Sequence, residues 1–168
     1  VERPGAAGGA GTPERHGAAE ERRSIGLRNL HTSEELELEY FRGGYVPAAL
    51  ARIDGVLRDF RTGDVHPIDP GLIDQLHSLA LSLRLPPVYA VISGYRSPHT
   101  NELLRERGGG VALHSLHMHG RAIDVRLAGI DCAALSTAAL GLGRGGVGYY
   151  RSSDFVHLDT GAFRSWRG

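Results

Sequence analysis

Three imidazoles and a carboxylate crowd into His114-Ser-Leu-His-Met-His-Gly-Arg-Ala-Ile-Asp, and a fold that keeps them together must turn sharply inside that segment. Gly120 permits the turn. Ala122-Ile-Asp-Val-Arg then alternates like a strand, so His117 and Asp124 can be brought back to one point. Neutral imidazole and carboxylate are good zinc ligands, and a hydrolytic zinc site uses three protein ligands with one position left for water. His117 and Asp124 supply two; His119, one residue from His117, is the alternative to it. The best third candidate is His157, in Asp154-Phe-Val-His-Leu-Asp, where alternation puts Phe155, His157 and Asp159 on one face. Asp154 falls on the other face, and a bend would be needed to aim it at a metal. A surface cluster or hydrogen-bonded core histidines is the competing reading, and spacing leaves both open.

Other chemistries are excluded more firmly. All 19 basic residues are Arg, so a P-loop phosphate site, a Schiff-base enzyme and a Ser-Lys hydrolase each lack their amine. The glycines at 108–110 and 143–148 therefore read as turns. Cys132 is the single cysteine, which rules out an internal disulfide and a multi-thiolate zinc site; its setting at the start of an apolar helix predicts a packing role. With 19 acidic residues balancing the basic ones, no net field draws the chain to nucleic acid. No run of about eighteen apolar residues is present to span a membrane.

Residues 1–23 are rich in Gly, Ala, Pro, Glu and Arg, a composition that predicts a flexible lead-in, with one domain over 24–168. Leu36, Leu38 and Tyr40 alternate with Glu35, Glu37 and Glu39, predicting within Ile25–Phe41 a β-hairpin with an acidic, solvated face. Helical spacing follows over Val46–Phe60 and Asp69–Leu85. Val88–Ile92 reads as a buried strand, Ser97-Pro98 opens a helix running to about Arg107, and Ala133–Leu142 reads as helical. Val147–Tyr150 and Phe155–Asp159 read as closing strands. Without regular β-α-β alternation, the expectation is α+β, an antiparallel sheet flanked by helices.

Ser115-Leu-His117-Met-His-Gly120-Arg-Ala122-Ile-Asp124 also resembles the S-x-H-x-x-G-x-A-x-D motif of the zinc D-Ala-D-Ala carboxypeptidase and dipeptidase group, which shares its fold with the hedgehog signalling domain. Ser93-Gly-Tyr-Arg96-Ser, Gly146-Val-Gly-Tyr-Tyr and Phe155-Val-His157-Leu-Asp-Thr-Gly are similar to the YcbK-like (murein endopeptidase K-like) branch, and the likeness spans Ile25 to Trp166. The resemblance implies one zinc ion on His117, Asp124 and His157, and a general base at Asp154, matching the D-x-x-H form. It further implies a substrate-binding or polarising role for Arg96, and an exported, periplasmic or cell-envelope protein that cleaves peptidoglycan peptides. Endopeptidase cleavage of cross-links is favoured; a D,D- or L,D-carboxypeptidase and a non-catalytic zinc module are the alternatives. Ser115 and Asp159 are expected to orient ligand imidazoles, His119 to line the cleft, Tyr149 and its neighbour Tyr150 to present a ring to substrate there, and His114 to be incidental.

Overall fold

The computed structural model describes residues 20–108 and 111–168. The predicted lead-in lies largely outside them, although its last residues, Arg22 and Arg23, already belong to the first strand. The hairpin forms as expected: β1 (Arg22–Asn29) pairs antiparallel with β2 (Glu35–Arg42), setting Ile25 opposite Leu38 and Leu27 opposite Leu36. Leu36 and Tyr40 are buried while Glu35 and Glu37 face solvent, as a period of two requires.

Two helices then cross over: α1 (Pro47–Val56) and α2 (Pro70–Ser82), each with Pro in its first turn. In α2, Asp69 Oδ1 caps by accepting the Gly71 N–H at 2.8 Å. The crossover returns β3 (Val88–Ser93) parallel to β1. Helix α3 (Pro98–Glu106), capped by Ser97, leads through a short 3-10 turn (Leu116–His119) to β4 (Ala122–Leu127). Helix α4 (Cys132–Gly141) precedes β5 (Gly146–Tyr150), β6 (Phe155–Asp159) and β7 (Arg164–Arg167).

The strand order is β2-β1-β3-β4-β6-β5-β7. The α+β class stands, but the sheet is mixed: β1/β3 and β5/β7 are parallel pairs. The crossover through α1 and α2 is long enough to bring β3 back in the direction of β1, which a hairpin cannot do. β7 was not foreseen, being four residues long with only one partly buried side chain. Gly146, expected in a turn, starts β5, one residue before the strand expected from Val147; Gly143 and Gly145, both at positive φ, make the turn before it.

One face of the sheet carries Ile25, Leu27, Tyr89, Val91, Ile123, Val125, Leu127, Val156 and Leu158, packed with Ile53, Leu72, Leu76, Leu79 and Leu135 from the helices. Cys132 is buried among them. Asp124, His157 and Gly148 adjoin one another across β4, β6 and β5, and pleating turns that row away from the core.

At the far edge, Asp74 on α2 ties the hairpin to the helix layer. It accepts the Tyr40 hydroxyl at 2.9 Å and the Tyr45 hydroxyl at 2.6 Å, and pairs with Arg23 at 2.7 Å. Burial opposes its charge, but the bonds from Tyr45, Arg23 and Tyr40 outweigh that and hold the carboxyl below its ordinary range. Replacing Asp74 by Ala is expected to cost about 2–3 kcal/mol at neutral pH. Because the folded pKa is depressed, this stabilisation is present above the unfolded value, about 3.9, and is lost as pH falls through the folded one. Urea unfolding of both proteins from pH 7 to 3 checks it, and the gap between them must narrow toward acid.

Candidate metal centre

Each residue of the centre is delivered by a separate element. His117 sits in the 3-10 turn, where Ser115 Oγ accepts the His117 N–H at 3.4 Å. The turn ends at Gly120, φ +63, where a Cβ would stand 2.2 Å from the Pro67 carbonyl oxygen. That position needs a residue without a side chain on both counts. The chain then enters β4, and its register sets Asp124 opposite His157 of β6.

Three buried side chains converge. His157 Nδ1 lies 2.9 Å from Asp124 Oδ1 and 3.2 Å from His117 Nε2, and His117 Nε2 lies 3.3 Å from Asp124 Oδ1. The outer nitrogens are committed elsewhere. His117 Nδ1 is 2.7 Å from the Gly94 carbonyl oxygen and His157 Nε2 is 3.0 Å from Asp159 Oδ2. Both partners are acceptors, so each outer nitrogen carries its hydrogen. In the neutral rings the two inner nitrogens are therefore lone-pair acceptors, aimed at each other and at a carboxylate with no donor among them. Such a set calls for a cation or a proton. Electrostatics agree: burial opposes a charge on His157, yet Asp124 and Asp159 push it up to about 9. His117 is held down, chiefly by burial, and Asp124 is held well below the usual carboxylate range despite burial, by the two imidazoles.

The centre opens on a cavity of about 430 Å³, lined among others by Arg96, His114, Ser115, Tyr150, Phe155, Arg164 and Trp166. Arg96 is buried; its Nη1 is 3.4 Å from Asn101 Oδ1 and its Nη2 3.9 Å from Asp124. Its Nε is one of few buried side-chain polar atoms without a partner among the described residues, which leaves the guanidinium under-coordinated beside the centre. Asp59, itself buried, accepts the Ser97 N–H at 2.9 Å and the Arg61 N–H at 3.0 Å, fixing the turn that carries Arg96.

Of the residues expected at the site, His117, Asp124, His157, Arg96, Ser115 and Asp159 are brought together. Three are not. Asp154 is solvent-exposed just before β6, with φ +52. Its carboxylate pairs with Arg126 at 3.4 Å, and it does not line the cavity. His119 is exposed at the end of the 3-10 turn, outside the cavity, because the turn points His117 inward. Tyr149 pairs with Val156 on the core side of β5, so its neighbour Tyr150 takes the cleft position. His114, read as incidental, lines the cavity.

Arg164 and Trp166 were missed altogether. Trp166 lies against His157, ring centroids 5.1 Å apart, and its Nε1–H donates to the Tyr150 hydroxyl at 3.0 Å. The available signal was Gly146 and Gly148 alternating with Val147 and Tyr149: glycines at every second strand position mark a place where something packs against the backbone.

A convergent pair of imidazoles and a carboxylate, opening on a cleft lined by a buried arginine, is a donor set of the kind that could hold a metal ion. Residues 17–166 match the family model described as Peptidoglycan L,D-endopeptidase MepK, and the chain belongs to that family. It is 46% identical over 145 residues to the Peptidoglycan L,D-endopeptidase MepK of Escherichia coli (strain K12), covering 86% of this chain and 80% of that protein. The Shigella flexneri protein of that name matches equally, at 46%. The Probable peptidoglycan L,D-endopeptidase MepK of Haemophilus influenzae is 41% identical over 148 residues, covering 87% of this chain and 80% of that protein.

Proposed function

We propose that this chain is a zinc-dependent endopeptidase that hydrolyses amide bonds in peptidoglycan cross-link peptides, with His117 Nε2, Asp124 and His157 Nδ1 holding the ion. The observation that carries the proposal is the meeting of three acceptors within 4.8 Å of one another without a donor. The donor set fits the metal: two imidazoles and one carboxylate match a catalytic zinc site. Bound there, zinc supplies Lewis acidity and brings the pKa of a coordinated water down to about 7.

The chain's own groups do the rest. Gly94 O and Asp159 fix the ring orientation and tautomer of the two histidines, so that Nε2 of His117 and Nδ1 of His157 stay unprotonated toward the ion. Arg96 lines the cleft with its Nη2 3.9 Å from Asp124, and its guanidinium serves a carbonyl oxygen that gains charge as the amide is attacked, or a substrate carboxylate. The cleft walls, Phe155, Tyr150 and Trp166, present aromatic faces to the peptide. Asp154 is exposed, pairs with Arg126 and lies outside the cavity, so the proton of the water is not assigned to it. Asp154→Asn is expected to change kcat/KM by less than about threefold, whereas loss of a general base costs about 10²–10⁴-fold. Steady-state rates on a cross-linked muropeptide separate the two.

The same reading puts the protein in the periplasm or cell envelope, where its substrate is. Among the described residues no helix is long and apolar enough to cross a membrane. Digestion of purified peptidoglycan by zinc-loaded and by chelator-treated protein tests the function. Loss of dimeric muropeptides with zinc alone is the expected result. Release of a terminal amino acid, with dimers intact, would make it a carboxypeptidase; no product from zinc-loaded protein would leave a binding module.

A further inference from the structure

β7 reaches the centre across a gap in the sheet. Strand β5 lies between β6 and β7, and an ordinary strand there would separate their side chains. β5 carries glycine at both critical positions. A Cβ on Gly146 would stand 2.5 Å from Arg164 Nη1 and 2.5 Å from Asp159 Oδ2, and one on Gly148 would stand 2.5 Å from the Trp166 ring. Through the first opening Arg164 of β7 grips Asp159 of β6 with both terminal nitrogens, Nη1 to Oδ1 at 3.0 Å and Nη2 to Oδ2 at 2.6 Å. Asp159 is fully buried. It also accepts the Gly146 N–H at 2.9 Å and the Gly161 N–H at 2.8 Å on Oδ1, while Oδ2 receives His157 Nε2. The Arg164 guanidinium lies 5.1 Å from the Trp166 ring centroid, and that ring lies against His157.

A planar fork gripping a carboxylate at both oxygens restricts its rotation, so the oxygen offered to His157 is held in one place. An immobile Asp159 keeps the His157 ring turned with Nε2 toward Oδ2 and Nδ1 facing Asp124 and His117.

We propose that Arg164 is a positioning residue of the metal centre, acting on His157 through Asp159 across the opening left by Gly146. This rests on the zinc reading above. The role needs both the cation and the planar fork, so a lysine replaces it only in part.

The test measures zinc affinity against a competing chelator, together with the visible spectrum of the cobalt-substituted protein, for wild type, Arg164→Ala and Arg164→Lys. The metal-free proteins are checked for equal thermal melting. Expected are zinc binding about tenfold weaker in Arg164→Ala, with shifted cobalt d–d bands, an intermediate value in Arg164→Lys, and partial recovery of Arg164→Ala by millimolar methylguanidinium. Wild type and Arg164→Ala alike within about twofold in affinity, with the same cobalt spectrum, would overturn the positioning role and leave the zinc reading intact. A drop confined to KM on muropeptide, with unchanged metal properties, would overturn it too, making Arg164 a substrate contact. A wild type that binds no zinc would remove both readings together.

Discussion

Asp124→Ala is expected to abolish stable zinc binding and to lower hydrolysis of cross-linked muropeptide by about 10³-fold or more, the several kcal/mol that metal polarisation contributes to such a reaction. Asp124 is the one anionic member of the cluster. It stands within 3.3 Å of the inner nitrogens of both His117 and His157, so removing it takes away a ligand and the charge that balances a divalent ion. Two imidazoles alone make an incomplete site. Metal content after dialysis, measured on protein purified without a polyhistidine tag, and the rate on a defined dimer check both halves. Zinc retained at wild-type stoichiometry with Asp124 gone would place the metal elsewhere.

Arg96→Ala is expected to leave zinc in place and to reduce kcat/KM by about 10²–10³-fold. The guanidinium is buried beside the centre and lines the cavity, where its planar fork suits a substrate oxygen or carboxylate. Arg96→Lys is expected to recover little, because an ammonium cannot reproduce the planar fork. Equal loss of kcat and kcat/KM would mean that Arg96 acts on the transition state; a rise in KM alone would mean that it holds a substrate carboxylate in both states. Thermal melting of metal-free Arg96→Ala guards against a folding defect, since Asn101 and Asp59 anchor the turn independently of the guanidinium through contacts to the Ala112 carbonyl and the Ser97 N–H. Wild-type kcat/KM in this variant would take Arg96 out of the reaction.

Local pattern carried much of this protein. The hairpin, the four α-helices and the strand bearing Asp124 follow from apolar periodicity, proline placement and capping, which are properties of neighbouring residues. His117, Asp124 and His157 were legible because ligand chemistry limits which residue types can serve and because alternation within Phe155–Asp159 leaves one histidine facing outward. The failures have a common cause. Asp154 was placed by motif spacing, yet a left-handed backbone at φ +52 turns it to Arg126, and no spacing rule carries a backbone dihedral. Tyr149 and Tyr150 are adjacent, and choosing which faces the cleft requires the pairing of Tyr149 with Val156.

By itself the sequence determined which chemistry is possible: no lysine-based catalysis, no multi-thiolate metal site, and a cluster of imidazole and carboxylate donors around a glycine turn. The tertiary structure decided how that chemistry is held. Parallel pairing of β3 with β1 and of β7 with β5 joins segments far apart in the chain, and the grip of Arg164 on Asp159 exists only because two strands meet on either side of a third that lacks side chains at the crossing. Composition and periodicity describe a residue's neighbours along the chain, such as Asp159 beside His157; Asp124, His117 and Trp166 meet His157 from other elements, where hydrogen-bond geometry and close packing decide.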